Sequence, residues 1–407
     1  MTGAQTPGAR IQLNRVELAS LLDSLVPGAM RAEQIPGAVV SVVSGGETVF
    51  QRGYGVADLK TGRRMNADST IVRIGSISKV MTAVATAQLA DRGRIRLDAD
   101  VNQYLRSVKV PQTFRAPITA RHLLTHTAAL DEIRPGTQAE RSQELLSLAD
   151  FLRPRLVRFA PAGAGTAYST YGITLAGLLV EDVSGLGFED YLRRNVWLPL
   201  GMQHTSIAVP ASHRGLVANP YDVENDKPVD APWEWYHTTP ASSVNSTAAD
   251  MARFMIAQLG GDSVVLSRRM RSEMQRRQAT MHPMLPGYGF GWQELMLNGE
   301  RGVEHGGDVA GFSSLLTLLP DRGVGIFVAS HREGSDLRFT VSRGIANRFF
   351  PDVTPATPVV SMHATAAEAS AAVARYAGHY RANSVCHSCA SPRGVHETDF
   401  VVNHDGT

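Results

Sequence analysis

The chain has 407 residues, 43% hydrophobic and 19% charged, and 40 basic side chains against 38 acidic ones leave a net charge of +2. That near balance, with no long basic run, argues against nucleic acid or an anionic membrane surface as a partner. No apolar stretch reaches the eighteen or so residues of a membrane span, while the length suffices for one large body with an insertion and a small appendage.

The N-terminus, Met1-Thr2-Gly3-Ala4-Gln5-Thr6-Pro7, lacks the apolar core of a signal peptide, which leaves a cytoplasmic location and a missing leader both open. A helix is expected over 11–30, with Leu18, Leu21, Leu22 and Leu25 on one side. Two β-rich runs, 38–44 and 47–54, follow and are joined by Gly45-Gly46, a hairpin signal. The run 78–92 is apolar on nearly all faces and stops at Gly93, as a buried central helix does. A helix over 171–183 ends at Ser184-Gly185, and another over 251–259 has Thr247 as its cap and Gly260-Gly261 as its stop. Near the far end, 313–319 and 325–330 flank Pro320-Asp321-Arg322-Gly323, which carries type I turn chemistry. Strands from both ends with helices between them predict an α+β fold. One antiparallel sheet is flanked by helices and interrupted by a mostly helical insertion at about 80–255. The main domain is expected over 11–350, a Pro/Ala/Thr/Ser linker over 351–375, and the start of a small, truncated β-rich module over 376–407.

The chemistry centres on Ser76-Ile77-Ser78-Lys79. Serine and lysine three apart at a helix start lie on one face about a turn apart, close enough to share a proton. A desolvated lysine can take the serine proton, and arginine cannot. The chain has four lysines against thirty-six arginines, and only Lys79 follows a serine at this spacing. Tyr168-Ser169-Thr170 lies between a glycine-rich loop and a helix; Tyr168 is either a core tyrosine or, with a pKa lowered by lysine, a proton-exchanging phenolate. His305-Gly306-Gly307 stands before the last hairpin, where the glycines permit close backbone approach and His305 is a proton partner or a structural hydrogen-bonder at a strand start. Trp233, Trp235 and Tyr236 crowd one loop, as a cleft wall or as a lid over the core. Cys386 and Cys389, with His387 and His396 nearby, fall short of a zinc ligand set and read as a local redox pair or plain loop cysteines.

Together these segments resemble the serine β-lactamase and penicillin-recognising family, in its class C, D-aminopeptidase and family VIII esterase branch. Further blocks carry the resemblance over roughly 30–350: Leu123-Leu124-Thr125-His126-Thr127, Pro199-Leu200-Gly201-Met202, Ser246 to Met251, Tyr288-Gly289-Phe290-Gly291-Trp292, and Gly311 to Ser314. The resemblance implies Ser76 as the acylated nucleophile, Lys79 as its deprotonating partner, and Tyr168 as general base or proton shuttle. It also implies an oxyanion hole from the Ser76 amide and that of a residue after Gly307, Ser313 or Ser314. Thr125-His126-Thr127 looks like a support element.

Two departures shape the expected substrate. Thr170 stands where the family carries asparagine, and His305 stands where the lactamases carry lysine in a Lys-Thr-Gly triplet. Both weaken the grip on a β-lactam's carboxylate and amide, and a histidine of ordinary pKa would restore the cation only as pH falls. The expected function is a serine hydrolase of short-chain carboxylic esters. The alternatives are β-lactamase, D-amino-acid-specific peptidase or carboxypeptidase, and a penicillin-binding sensor without turnover. Substrate contacts are expected from Thr170, His305, Gly306, Gly307, Ser313, Trp233, Trp235 and Tyr236. The partner is a small ester, lactam or short peptide, with no metal or other cofactor.

Overall fold

The computed structural model describes residues 10–260, 264–351, 378–381, 386–388 and 397–400. The first helix, α1 (Arg15–Ala32), starts later than its apolar pattern does because the Asn14 side chain accepts from the Val16 and Glu17 amides and caps it. Its buried stripe is Leu18, Leu22, Val26 and Met30, one residue every turn. Strands β1 (Gly37–Ser44) and β2 (Glu47–Asp58) form the expected hairpin, with Gly45 and Gly46 both at positive φ, and β3 (Arg63–Arg64) adds a short edge. Helix α2 (Ser78–Asp91) is buried from Ser78 to Leu89, so its pattern is apolar all round. Helix α3 (Thr170–Ser184) ends on Gly185 in the left-handed region, and α4 (Ala248–Leu259) is capped by Thr247 and stopped by Gly260 in that same conformation.

Strands β4 (Gln293–Leu297), β5 (Glu300–Val309), β6 (Phe312–Leu319) and β7 (Val324–Ser330) complete the main sheet, followed by α5 (Leu337–Phe349). Its order is β4-β5-β6-β7-β1-β2-β3, antiparallel throughout. The pairing of β1 with β7, Val40 opposite Val328, joins the two ends of the chain. Alternation along the central strands then feeds two cores. Ala38, Val40 and Val42 face one way with Ile326 and Val328, under α1 and α5. Val39 and Val43 face the other way with Phe327 and Ala329, into the helical body around α2. Because both faces are covered, β1, β6 and β7 are buried along their whole length.

The expected linker lies almost wholly outside the described residues. Within 376–407, β8 (Gly378–Arg381) pairs antiparallel with β9 (Glu397–Phe400). Cys386 is disulfide-bonded, while Cys389 and His396 fall outside the description.

Candidate active site

The site is assembled where the start of α2 meets the open edge of β5. The strand β4 pairs with β5 only from Glu300 to Glu304, so the stretch from His305 onward keeps a free edge on that side. A short 3-10 turn, Gly75–Ile77, packs there and passes into α2. Gly75 sits at φ +51°, and a Cβ on it would lie 2.9 Å from the Asp308 amide nitrogen. A Cβ on Gly307 would lie 2.0 Å from the Ile74 carbonyl oxygen. Glycine is therefore required on both sides of this contact. Gly306 is under no such demand, since its Cβ would find its nearest neighbour at 3.8 Å. Ser78 locks the turn: its hydroxyl donates to the Gly75 carbonyl at 2.6 Å and accepts from the Val244 amide at 3.0 Å.

Within this frame Lys79 Nζ lies 2.9 Å from Ser76 Oγ and donates to the Ala241 carbonyl at 3.0 Å. Only 1% of Lys79 is exposed. Burial pushes its pKa down to about 7, against a smaller opposing pull from the Glu132 carboxylate. The deprotonated amine keeps one lone pair, and with Ala241 taking one of its hydrogens that lone pair can face the serine hydroxyl.

Tyr168 flanks the pair, with Lys79 Nζ 4.8 Å from its ring centre, and its hydroxyl hydrogen-bonds with Ser76. Of the two readings of Tyr168, its surroundings disfavour the phenolate. Burial raises the Tyr168 phenol above its ordinary range, and the Ser76 hydrogen bond offsets only part of that. The turn carrying Tyr168 is held from two directions. The Ser169 amide donates to His126 Nδ1 at 3.0 Å, and the His126 ring lies 4.6 Å from that of Tyr168. From the other side, Glu132 Oε1 accepts from the Ser169 hydroxyl at 2.7 Å and from the Tyr171 amide at 3.0 Å. Burial raises the Glu132 pKa, with those hydrogen bonds and Lys79 opposing.

His305 lies inside β5 rather than at a strand start, because β5 begins five residues earlier, at Glu300. It is buried, its Nδ1 donates to the Gly306 carbonyl at 2.6 Å, and burial with the Lys79 cation pushes its pKa down to about 3. It stays neutral over the whole working range, so it cannot become a cation as pH falls from 8 to 5.

A cavity of about 470 Å³ opens over Ser76, and its wall includes Glu132, Arg134, Tyr168, Thr170, Tyr236 and Asp308. Ser76, Tyr168, Thr170 and Tyr236 are thus brought together on one surface, with Lys79 and His305 buried beside it. Trp233, Trp235, Ser313, Gly306 and Gly307 are not in that wall. Trp233 stacks under the Arg73 guanidinium, 4.6 Å from its ring centre, and meets Phe312 edge-on, as a lid over the core does. Ser313 is buried on β6, its hydroxyl donating to Asp308 Oδ1 at 2.7 Å, and Ser314 Oγ donates to the Ile74 carbonyl at 2.9 Å. On the free strand edge the Asp308 amide nitrogen faces the nucleophile turn, 2.9 Å from where a Cβ on Gly75 would lie.

Glu132 and the Asp308 amide escaped the sequence reading. Glu132 sits in a loop whose polar residues look like ordinary surface, and a backbone amide leaves no trace in residue types. A glycine-flanked strand edge was the only available signal for the second.

A helix-flanked antiparallel sheet with a Ser-x-x-Lys pair at the buried start of its central helix defines the β-lactamase and penicillin-binding-protein class of folds. The chain belongs to the Beta-lactamase family, whose model matches residues 22–347. It is 30% identical over 257 residues to a Beta-lactamase of Yersinia enterocolitica, covering 63% of this chain and 63% of that protein. It is 31% identical over 243 residues to Esterase EstB of Burkholderia gladioli, covering 56% of this chain and 61% of that protein. The chain therefore spans less than two thirds of either relative's length. In fold it matches the octameric penicillin-binding protein homologue from Pyrococcus abyssi with a TM-score of 0.71 and 21% identity, over 89% of this chain and 82% of that one.

Proposed function

We propose that the protein cleaves short-chain carboxylic esters through an acyl group carried on Ser76. The observation that carries the reading is Lys79 Nζ, 2.9 Å from Ser76 Oγ and buried to a pKa of about 7. Such an amine takes the hydroxyl proton as Oγ bonds to the acyl carbon. The charge that develops on the carbonyl oxygen is met by the amides of Ser76 and Asp308. The alcohol leaves with the proton returned from Lys79, and Tyr168, a neutral phenol hydrogen-bonded with Ser76, passes it across. Water then attacks the acyl group and gives its proton to Lys79, which passes it to Ser76 Oγ as the acid leaves, restoring both groups.

Ester preference follows from the missing cation. A β-lactam brings a carboxylate, and the group beside Lys79 on β5 is a neutral histidine. Loss of one charge-assisted contact costs about 1.5–3 kcal/mol, roughly ten- to a hundred-fold in discrimination. An ester needs no such contact. One observation favours the second reading, a β-lactamase or D-peptidase: exposed Arg134 stands on the cavity wall and could meet a carboxylate there. The names of the relatives support both.

The test is a panel of p-nitrophenyl butyrate, a chromogenic cephalosporin and a D-alanyl peptide, with intact-mass detection of the acyl-enzyme. We expect the ester to be turned over fastest, a serine-directed phosphonate to label Ser76 alone, and Ser76→Ala to lose several orders of magnitude of turnover. Preference for the cephalosporin over every ester would replace the reading with the lactamase one. A stable adduct without turnover would make the protein a sensor.

A further inference from the structure

The loop that brings Glu132 to the cavity is held at its back by a distant part of the chain. Asp131, immediately before Glu132, is 0% exposed, and among the described residues no lysine or arginine pairs with it. Besides the neighbouring Glu132 amide at 3.1 Å, its carboxylate accepts from the His387 amide at 2.6 Å on Oδ1 and from the Ser388 amide at 2.9 Å on Oδ2. Cys386 Sγ lies 3.8 Å from Oδ2. Successive backbone amides converging on a carboxylate form an anion-binding nest.

A second contact is independent of the first. The Asp131 loop is laced to a neighbouring stretch by the Leu130–Arg158 bridge, by the Asp131 amide to the Val157 carbonyl at 2.8 Å, and by the Phe159 amide to the Ala129 carbonyl at 3.1 Å. On the Phe159 ring lies the His387 ring, stacked at 3.9 Å and 15° from parallel. The segment therefore clamps both sides of this small ladder. It belongs to the connection between β8 and β9, which pair with Arg381 opposite Glu397. The disulfide at Cys386 restricts the turn's backbone and presets its amides for the carboxylate.

We propose that Cys386–Ser388 is a built-in part of the active site: it docks on Asp131 and Phe159 and thereby holds Glu132, and the turn carrying Tyr168, in place against Ser76. The function of the strap rests on the ester-hydrolase reading of that site. Asp131 is a positioning residue, acting through Glu132. Without the two amides its carboxylate would be buried with a single donor, and a buried charge in that state draws water or moves to the surface. The loop 128–133 must then open. Glu132 leaves the Ser169 hydroxyl and the Tyr171 amide, and the cavity wall goes with it.

The test uses the full chain with His387→Ala, Cys386→Ser and Asp131→Asn, read by hydrogen exchange and by p-nitrophenyl butyrate kinetics. Exchange over 128–133 should quicken by about ten-fold or more in each variant, while α2 keeps its protection, since the opening is local. KM should rise by about ten-fold as the cavity wall is displaced, and kcat should fall by about ten-fold because the turn carrying the proton-passing Tyr168 loosens. A general loss of folding would move α2 as well and would overturn the positioning role. If Asp131→Asn does not fold, His387→Ala, which removes only a stacking ring, carries the decision. Parental exchange over 128–133 together with parental KM in His387→Ala and Cys386→Ser would make the segment a passive appendage and sink the proposal. A parent that turns over no ester would defeat the ester reading alone, and the exchange data would still decide whether the strap holds the loop.

Discussion

Lys79 shows how burial makes a base out of an ordinarily protonated group. Among the described residues its polar neighbours within hydrogen-bond reach are Ser76 Oγ and the Ala241 carbonyl, so its charged form has lost the solvation it would have in water. Activity on a neutral ester should therefore rise as pH increases through about 7, because the amine works only once its proton has left. A pH–rate profile of kcat/KM checks this, and a limb near the ordinary lysine value of about 10.4 would show that the amine is not desolvated in solution. Lys79→Arg keeps a cation but cannot accept a proton, so it should be nearly as damaging as Lys79→Ala. His305 gives the opposite expectation. With its pKa pushed down to about 3 it carries no charge between pH 8 and 5, so the cephalosporin-to-ester rate ratio should gain nothing from His305 over that window. A ratio that climbs with a midpoint near 6.5 would mean the histidine is solvated after all.

At the scale of elements, the decisive contact is a turn seated on a strand edge. The 3-10 turn before α2 and the stretch of β5 beyond Glu304 approach so closely that Gly75 and Gly307 have no room for a methyl group. Gly307→Ala would put its Cβ 2.0 Å from the Ile74 carbonyl oxygen, and backbone on both sides cannot yield cheaply. We expect it to lower kcat on p-nitrophenyl butyrate by about a hundred-fold, as misplacement of catalytic groups by about 1 Å does. Gly306→Ala, with space at its Cβ, should cost far less. Equal losses in the two variants would show that the strand edge does not set the position of Ser76.

At the scale of the molecule, the sheet separates two cores, and only one of them supports the chemistry. Leu22 lies fully buried on α1 in the core beneath the far face of the sheet. Leu22→Ala should destabilise the protein by about 2–5 kcal/mol, by lost transfer energy and the cavity left behind. In the folded fraction the ester kcat should stay near the parental value, because α2 and the free edge of β5 lie across the sheet. Denaturant melts and kinetics on the same samples separate the two effects. A fall in kcat matching the fall in stability would mean that the cores are coupled through the sheet.

Much of this was legible in residue order because its causes are local. The apolar runs of β1, α2, α3 and β7, the turn glycines and the caps at Thr247 and Gly185 act within a few residues of themselves. The rarity of lysine likewise singled out Ser76 and Lys79 without coordinates. What residue order could not decide depends on burial and on long-range approach. Whether Tyr168 is a phenol or a phenolate, and whether His305 is a cation, is set by how much water the folded chain leaves around them. Trp233 covers the core rather than the cavity, with Arg73, 160 positions earlier, lying over its ring. Glu132 reaches the cavity because the helix start at Ser169 and Tyr171 receives its carboxylate from a loop far back in the chain. Desolvation and non-local hydrogen bonds exist only once the chain has closed on itself, and there the tertiary structure alone decides.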